Sequence, residues 1–157
     1  MSEDARFEDG REVPLNLGAL DGEDIKVLSA LTQDAVFPVT EMTWRAKERR
    51  FAILLNRFRW EDAEKAQRRG RDVERVQSLL VIENVTKVAS QGVDRSDADV
   101  ILALLSIEAD EATQEVTLTL AGDGAIRLSV EALEVSLKDV TRPYLAPSGK
   151  TPDHGIE

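Results

Sequence analysis

The chain of 157 residues contains no cysteine and one histidine, His154. Lack of thiols excludes disulfides, thiolate zinc sites, iron–sulfur clusters and cysteine nucleophiles. A lone histidine close to the C-terminal end leaves little room for a serine triad or for imidazole acid–base chemistry. Aromatic residues are scarce, at 4%. The longest apolar runs, Leu79–Ile82 and Val100–Leu105, fall well short of the ~20 residues that span a bilayer. The opening Met1–Glu8 has no apolar core of a secretory signal. Neither a G-x-x-x-x-G-K-[ST] loop, a G-x-G-x-x-G fingerprint nor a G-x-S-x-G elbow is present; Gly122-Asp123-Gly124 lacks the third glycine. These absences predict a cytoplasmic protein with no membrane association, no cofactor, and no catalytic or metal-ligating residues that can be assigned.

Apolar residues make up 42% of the chain and charged residues 32%, the balance of a globular protein rather than a disordered one. The length suits one domain, able to bury roughly two-thirds of its unfolded surface. The formal net charge is −10 and the sequence pI about 4.7, which disfavours nucleic acid as a partner, since phosphate binding depends on cations. The charge is uneven: Arg45–Arg75 holds eleven Lys/Arg against six Asp/Glu. Self-pairing or solvation is the plain explanation for such a segment; attraction of an anionic partner is the functional one.

Residues 1–13, acidic and without apolar periodicity, read as a flexible arm. Residues 142–157, with three prolines and two glycines, read as a tail that cannot extend a helix or ladder for long. The domain between them is 14–141. It opens on a helix at about 21–35, with Asp21 as N-cap and Ile25, Leu28, Leu31 and Ala35 on one face, widened by Val27 and Ala30. Pro38 is expected to end it.

Alternation then takes over. Val36–Trp44 reads as a strand whose proline puts it at an edge. Arg49–Trp60 reads as a strand apolar on both faces, covered on one by the helix. Glu61–Gly70 reads as a short helix or excursion with Glu61–Lys65 and Glu64–Arg68 pairs. Val76–Ile82 and Val85–Ala89 are further strands. Segments 99–108 and 130–140 fit strand or helix, with the first leaning to strand. A hairpin over 115–130 turns at Gly122-Asp123-Gly124. The sum is an α+β domain, mostly an antiparallel sheet of six to eight strands: a sandwich or small barrel, with a pleckstrin-homology-like barrel as one option.

Among chemistry-bearing groups, Arg57-Phe58-Arg59-Trp60 stands out, together with Trp44, Arg49 and Arg50, and with Arg68 and Arg69 nearby. Alternation sends Arg57 and Arg59 to one face and the two aromatics to the other. This makes Arg49, Arg50, Arg57, Arg59, Arg68 and Arg69 a candidate partner surface, against the plain reading of core aromatics with solvated arginines. Asp94, Asp97 and Asp99 offer oxygen ligands for a hard cation but not the EF-hand spacing, so turn-forming aspartates are the simpler reading. Glu108, Asp110 and Glu111 are read the same way.

Asp34-Ala-Val-Phe-Pro-Val, the run Lys47–Glu61 and Asp139-Val-Thr-Arg-Pro-Tyr144 together resemble a family of small alphaproteobacterial proteins known only as a domain of unknown function. The resemblance implies a bacterial, cytoplasmic, single-domain protein and carries over no activity or site. The expected function is therefore a non-enzymatic binding or adaptor protein using the basic, aromatic-containing segment 45–75, with a protein as its partner. The alternative is a small-ligand binder or an enzyme with a carboxylate and arginine site, dependent on a divalent metal in one form. RNA binding through the same segment is a weaker option, and unpaired strand edges make a homodimer credible.

Overall fold

The computed structural model describes residues 14–145; the expected arm at 1–13 and all but the start of the expected tail lie outside them. In chain order the elements are β1 (Asn16–Ala19), α1 (Gly22–Leu31), β2 (Val36–Pro38), a 3-10 turn (Val39–Glu41), β3 (Met42–Arg45), β4 (Arg50–Phe58), a second 3-10 turn (Trp60–Asp62), α2 (Ala63–Arg68), β5 (Arg75–Ile82), β6 (Val85–Gln91), β7 (Ile101–Asp110), β8 (Glu115–Leu120), β9 (Gly124–Val130) and β10 (Val135–Asp139). All strand pairs are antiparallel. The ten strands form one open sheet in the order β1-β10-β5-β4-β2-β7-β8-β9-β6, with β3 beside β4. The expected α+β class with a mostly antiparallel sheet holds, with ten strands rather than six to eight.

The sheet turns a corner at β7. Its first residues pair with β2 and the remainder with β8, and the register shifts between Leu104 and Ser106. An extra residue in one strand bends and twists a ladder locally. On either side of that corner β5, β8, β9 and β10 alternate between buried and less buried positions. Phe51, Ile53, Leu55, Leu80, Ile82, Val135 and Leu137 from one half, and Leu104, Val116, Leu118, Leu120, Ile126 and Leu128 from the other, join one buried cluster. The chain crosses between the halves twice, at Glu83-Asn84 and at Glu131–Glu134. The crossings are tied to each other, since Glu131 N donates to Asn84 O at 2.9 Å and Glu83 N to Glu134 O at 2.9 Å.

Several local expectations are corrected. The helix stops at Leu31, not Ala35. Its C-cap Thr32 turns its hydroxyl back onto Leu28 O at 2.8 Å, and Asp34 takes a left-handed φ of 65°, so the stop precedes the proline. Ile25 and Leu28 are buried as expected, but Val27 is 53% exposed and Ala30 also faces solvent. The helix lies chiefly on β7 and β1 rather than on β4. Val36–Trp44 is two strands broken by a 3-10 turn. The first of these, β2, runs between β4 and β7, not at an edge. Pro38 is tolerated there because it is the last residue of β2, which meets β4 only through Val36↔Asn56.

The two ambiguous segments are strands. Segment 130–140 changes phase because the chain crosses between halves at Glu131–Glu134. The 115–130 hairpin is as expected, with Gly122 at φ +80° and Asp123 at φ +66° in the left-handed geometry of a tight turn.

The cap and the helix stripe are separable by measurement. Asp21 Oδ1 accepts from Asp24 N at 2.9 Å, so Asp21→Ala should lower stability by about 1 kcal/mol in urea unfolding. Val27→Ala should change it by less than about 0.5 kcal/mol; a core-sized loss would return Val27 to the buried stripe.

Candidate functional site

The six arginines of the expected partner surface do not form one surface. Arg57 has 0% exposure and Arg59 4%. Their position follows from the strand period: Arg57 continues the inward series Phe51, Ile53, Leu55. A buried guanidinium is stable only when its five donors find acceptors, and those of Arg57 do. Its Nε donates to Ser78 Oγ at 2.9 Å, Nη1 to Phe58 O at 3.0 Å and Glu61 Oε1 at 2.8 Å, and Nη2 to Glu61 Oε2 at 2.9 Å and Asp139 Oδ1 at 3.0 Å. Burial by itself lowers the Arg57 pKa, but the hydrogen-bonded carboxylates of Glu61 and Asp139 outweigh it and hold the group above its ordinary value. It therefore stays charged. Glu61 is thus spent on Arg57 rather than on the expected pair with Lys65.

Around this centre lies a second ring. Arg59 Nη1 reaches Glu74 Oε1 at 2.8 Å, and Arg71 Nη2 reaches Asp62 Oδ2 at 2.7 Å. Arg75 lies over the Phe58 ring, 4.5 Å from its centroid, and Phe58 in turn packs against Trp60 at 5.3 Å. Arg57, Arg59 and Arg71 make the ion pairs and Arg75 rests on the ring, with Arg71 Nε and Nη1 and Arg75 Nε buried without a hydrogen-bond partner among the described residues. Four cations against the carboxylates of Glu61, Asp62, Glu74 and Asp139 leave the cluster neutral. It braces the fold and offers no free charge to a substrate.

The remaining four arginines are exposed but apart. Arg49 pairs with Glu131, and Arg50 Nε lies 3.1 Å from Glu83 Oε1 at the start of β4. Arg68 and Arg69 follow the far end of that strand, whose nine residues span about 30 Å at ~3.3 Å per residue. The acidic runs are turns. Asp94 Oδ1 accepts from Ser96 N at 3.0 Å, Asp97 Oδ1 from Asp99 N at 3.0 Å, and Asp110 Oδ1 from Ala112 N at 3.0 Å. Among the described residues no group of three or more His, Asp or Glu is placed to hold a metal ion.

What the structure does assemble is a pocket of about 110 Å³ lined by Val39, Thr40, Met42, Trp44, Phe51, Val88, Ser90, Arg95 and Ile126. An apolar cavity of ~150 Å³ is large enough for benzene, so this one has the scale of a single apolar side chain or a short acyl segment. It lies where the two halves of the sheet come together without pairing. Among the described residues β3 is bonded only to β4, and β6 only to β9. Val85 N donates to Arg49 O at 2.8 Å, which sets the start of β6 beside the β3–β4 hairpin. The facing edges of β3 and β6 thus form a seam with the pocket beneath it.

Met42 and Trp44 reach the pocket from β3, Val88 and Ser90 from β6, each pair two residues apart as strand alternation requires. Arg95 comes from the loop after β6. The Asp94 carboxylate orders that loop by accepting from both the side chain and the backbone of Ser96; these bonds hold its pKa below the usual carboxylate range. The aspartates of this loop are the turn-formers expected from the sequence, and Asp94 fixes the residue next to Arg95. Trp44 and Phe51, at the start of the basic segment, were visible as aromatics in the sequence. Val88, Ser90, Arg95 and Ile126 were not, because only the crossing at Glu83-Asn84 brings β6 and β9 against β3.

The contrast between buried and exposed arginines gives a direct check. Arg57→Ala and Asp139→Ala should each lose about 3–5 kcal/mol, as breaking a buried pair does, and the double variant should lose less than the two together. Arg68→Ala should stay within about 0.5 kcal/mol. Urea unfolding of the four variants decides it, and a small loss for Arg57→Ala would return that residue to the surface.

Among the described residues no helix is long and apolar enough to cross a membrane. No curated protein and no solved structure matches the chain. A family model does match, over residues 15–154, which takes in every strand and both helices. The chain belongs to the family described as "Protein of unknown function (DUF2948)".

Proposed function

We propose that the chain is a non-enzymatic, cytoplasmic binding protein whose ligand seats in the pocket between β3 and β6. The observation that carries this reading is the pocket's lining: six apolar residues, two hydroxyls from Thr40 and Ser90, and one permanent cation, Arg95. Ligand sites are mostly apolar with a few polar groups that orient the guest. Proton-transfer catalysis needs a titratable base or acid within hydrogen-bond reach of the reacting atom, and this lining supplies none. Of the basic segment 45–75, the part that serves the reading is its beginning, where Arg45 and Lys47 follow Trp44. Arg57, Arg59, Arg71 and Arg75 belong to the brace, and Arg68 and Arg69 are exposed beyond it. A sandwich, rather than a closed pleckstrin-homology-like barrel, is the finer fold that goes with this reading, supported by the single core drawn from both halves and by the unpaired seam.

The chemistry calls for an apolar group carried next to a negative one. Trp60 donates from Nε1 to Gln33 O at 2.8 Å, away from the pocket, so a Trp60→Phe background leaves Trp44 as the only indole reporter. Titrating octanoate into that protein should change Trp44 emission saturably. Arg95→Ala should weaken the binding roughly tenfold, about 1.4 kcal/mol for one charge-assisted contact. Trp44 emission that stays constant, or changes without saturating, would sink the proposal.

A further inference from the structure

We infer that the natural occupant of the seam is an extended segment of a partner protein, with alternating acidic and apolar residues, that adds to the free edge of β6. This rests on the pocket reading above and names the ligand class for the same site. β6 spans Val85–Gln91 and ends the sheet, so half of its backbone donors and acceptors face away from β9 without a strand partner among the described residues. A free edge of this kind takes an extended peptide by main-chain hydrogen bonds, while pockets for alternate side chains select its sequence. Here the pocket lies directly under the edge, since Val88 and Ser90 line it. Every second residue of an added strand would point down onto Trp44 and Phe51.

The remaining side chains of such a strand would point outward, where the flanking residues are basic. Thr43 and Arg45 alternate with the pocket residues of β3, and Lys87 and Ala89 with those of β6, so Arg45 and Lys87 flank the seam on its outer side. Arg45 has one exposed partner, Glu48 at 3.5 Å. Lys87 and Arg95 form no ion pair among the described residues. With a net charge of −10 over the whole chain, an acidic segment is repelled elsewhere and attracted here. Sheet edges are commonly guarded by a lysine and a bulge, and β6 has both, with Lys87 next to the shift between Val85 and Lys87. From Val88 to Gln91 the register runs on without interruption, and that is the stretch above the pocket.

The test uses the full chain with Trp60→Phe and the peptide acetyl-Glu-Val-Glu-Leu-Glu-Val-Glu-amide, followed by Trp44 emission. The peptide should bind saturably, and a scrambled peptide of the same composition at least tenfold more weakly. Methylating one alternate set of its backbone amides should abolish binding while methylating the other set is tolerated, because a strand on one edge uses one set. Lys87→Glu should weaken the peptide at least tenfold and weaken octanoate by less than it weakens the peptide. Circular dichroism of that variant keeps misfolding distinct from lost contact.

Octanoate binding without peptide binding would overturn the strand and leave the pocket reading intact. Silence from both would overturn both. Equal sensitivity to the two methylation sets, or a peptide affinity indifferent to Lys87→Glu, would also overturn it. So would a stable dimer in sedimentation whose dissociation by Lys87→Glu shows a second copy on the edge.

Discussion

One buried guanidinium holds together the end of the molecule where most of its segments meet. Arg57 projects from β4 into the layer between the sheet halves and is bonded to Ser78 on β5, Asp139 on β10, the Phe58 carbonyl and Glu61 in the 3-10 turn. Asp139 then passes the constraint on: its Oδ2 accepts from Leu15 N at 2.9 Å, and its own N donates to Leu15 O at 2.8 Å. Four separate stretches of chain are therefore registered by one cation. Replacing such a group with a well-packed apolar residue can be neutral or stabilising, whereas removing one partner is costly. The energetic statement is about integrity of the set, not about added stability. What the set supplies is register: β1, β10, β5 and β4 cannot slip by one residue without leaving a buried charge unpaired.

At the other end of β4 the constraint is of a different kind. The two-residue link Glu83-Asn84 carries the chain out of one half of the sheet into the other, with Asn84 in left-handed geometry at φ 60°. Ile82 and Val85 on either side are both fully buried. Both edges of β5 are taken by β10 and β4, so beyond this link β6 pairs with β9 instead and turns its other edge toward β3. The bonds between Glu131 and Asn84 and between Glu83 and Glu134 clamp both crossings at one point, so the pocket walls are held by backbone rather than by side-chain packing alone. Gly92, at φ +69° with a notional Cβ only 3.2 Å from Asp123 O, turns the chain at the end of β6 close against the β8–β9 turn and starts the loop that brings Arg95 back.

Local structure was legible wherever a period ran without interruption. The alternation of Val116, Leu118 and Leu120 with polar neighbours, broken by Gly122-Asp123-Gly124, was sufficient for the hairpin, because both the strands and the turn are short-range features. The N-cap at Asp21 was equally plain. The helix end was not, since Thr32 and Asp34 act through a back-bond and a left-handed turn that leave a weaker trace than Pro38. Arg57 is the instructive case. Its parity with Phe51, Ile53 and Leu55 already put it on the inward face, and only the habit of assigning charge to the surface hid that. Ser78 and Asp139, which make the burial tolerable, are 21 and 82 residues away in sequence, and no local pattern links them to Arg57. The pocket was illegible for the same reason: its lining depends on where the chain crosses between halves, which is a property of topology, not of composition.

The separation of these two ends has a consequence for how the molecule can change. The arginine–carboxylate cluster gathers where Phe58 pairs with Arg75, while the pocket gathers around Phe51, seven residues earlier on the same strand. That is about 23 Å at ~3.3 Å per residue. Substitutions that far apart, without shared partners, act nearly independently. The charges that maintain register are therefore insulated from those beside the pocket, and Arg45, Lys87 and Arg95 can vary at little cost to the fold. On the proposed reading, what the chain offers a partner is the edge of β6 above an apolar pocket, at the opposite end of β4 from the charges that set its register.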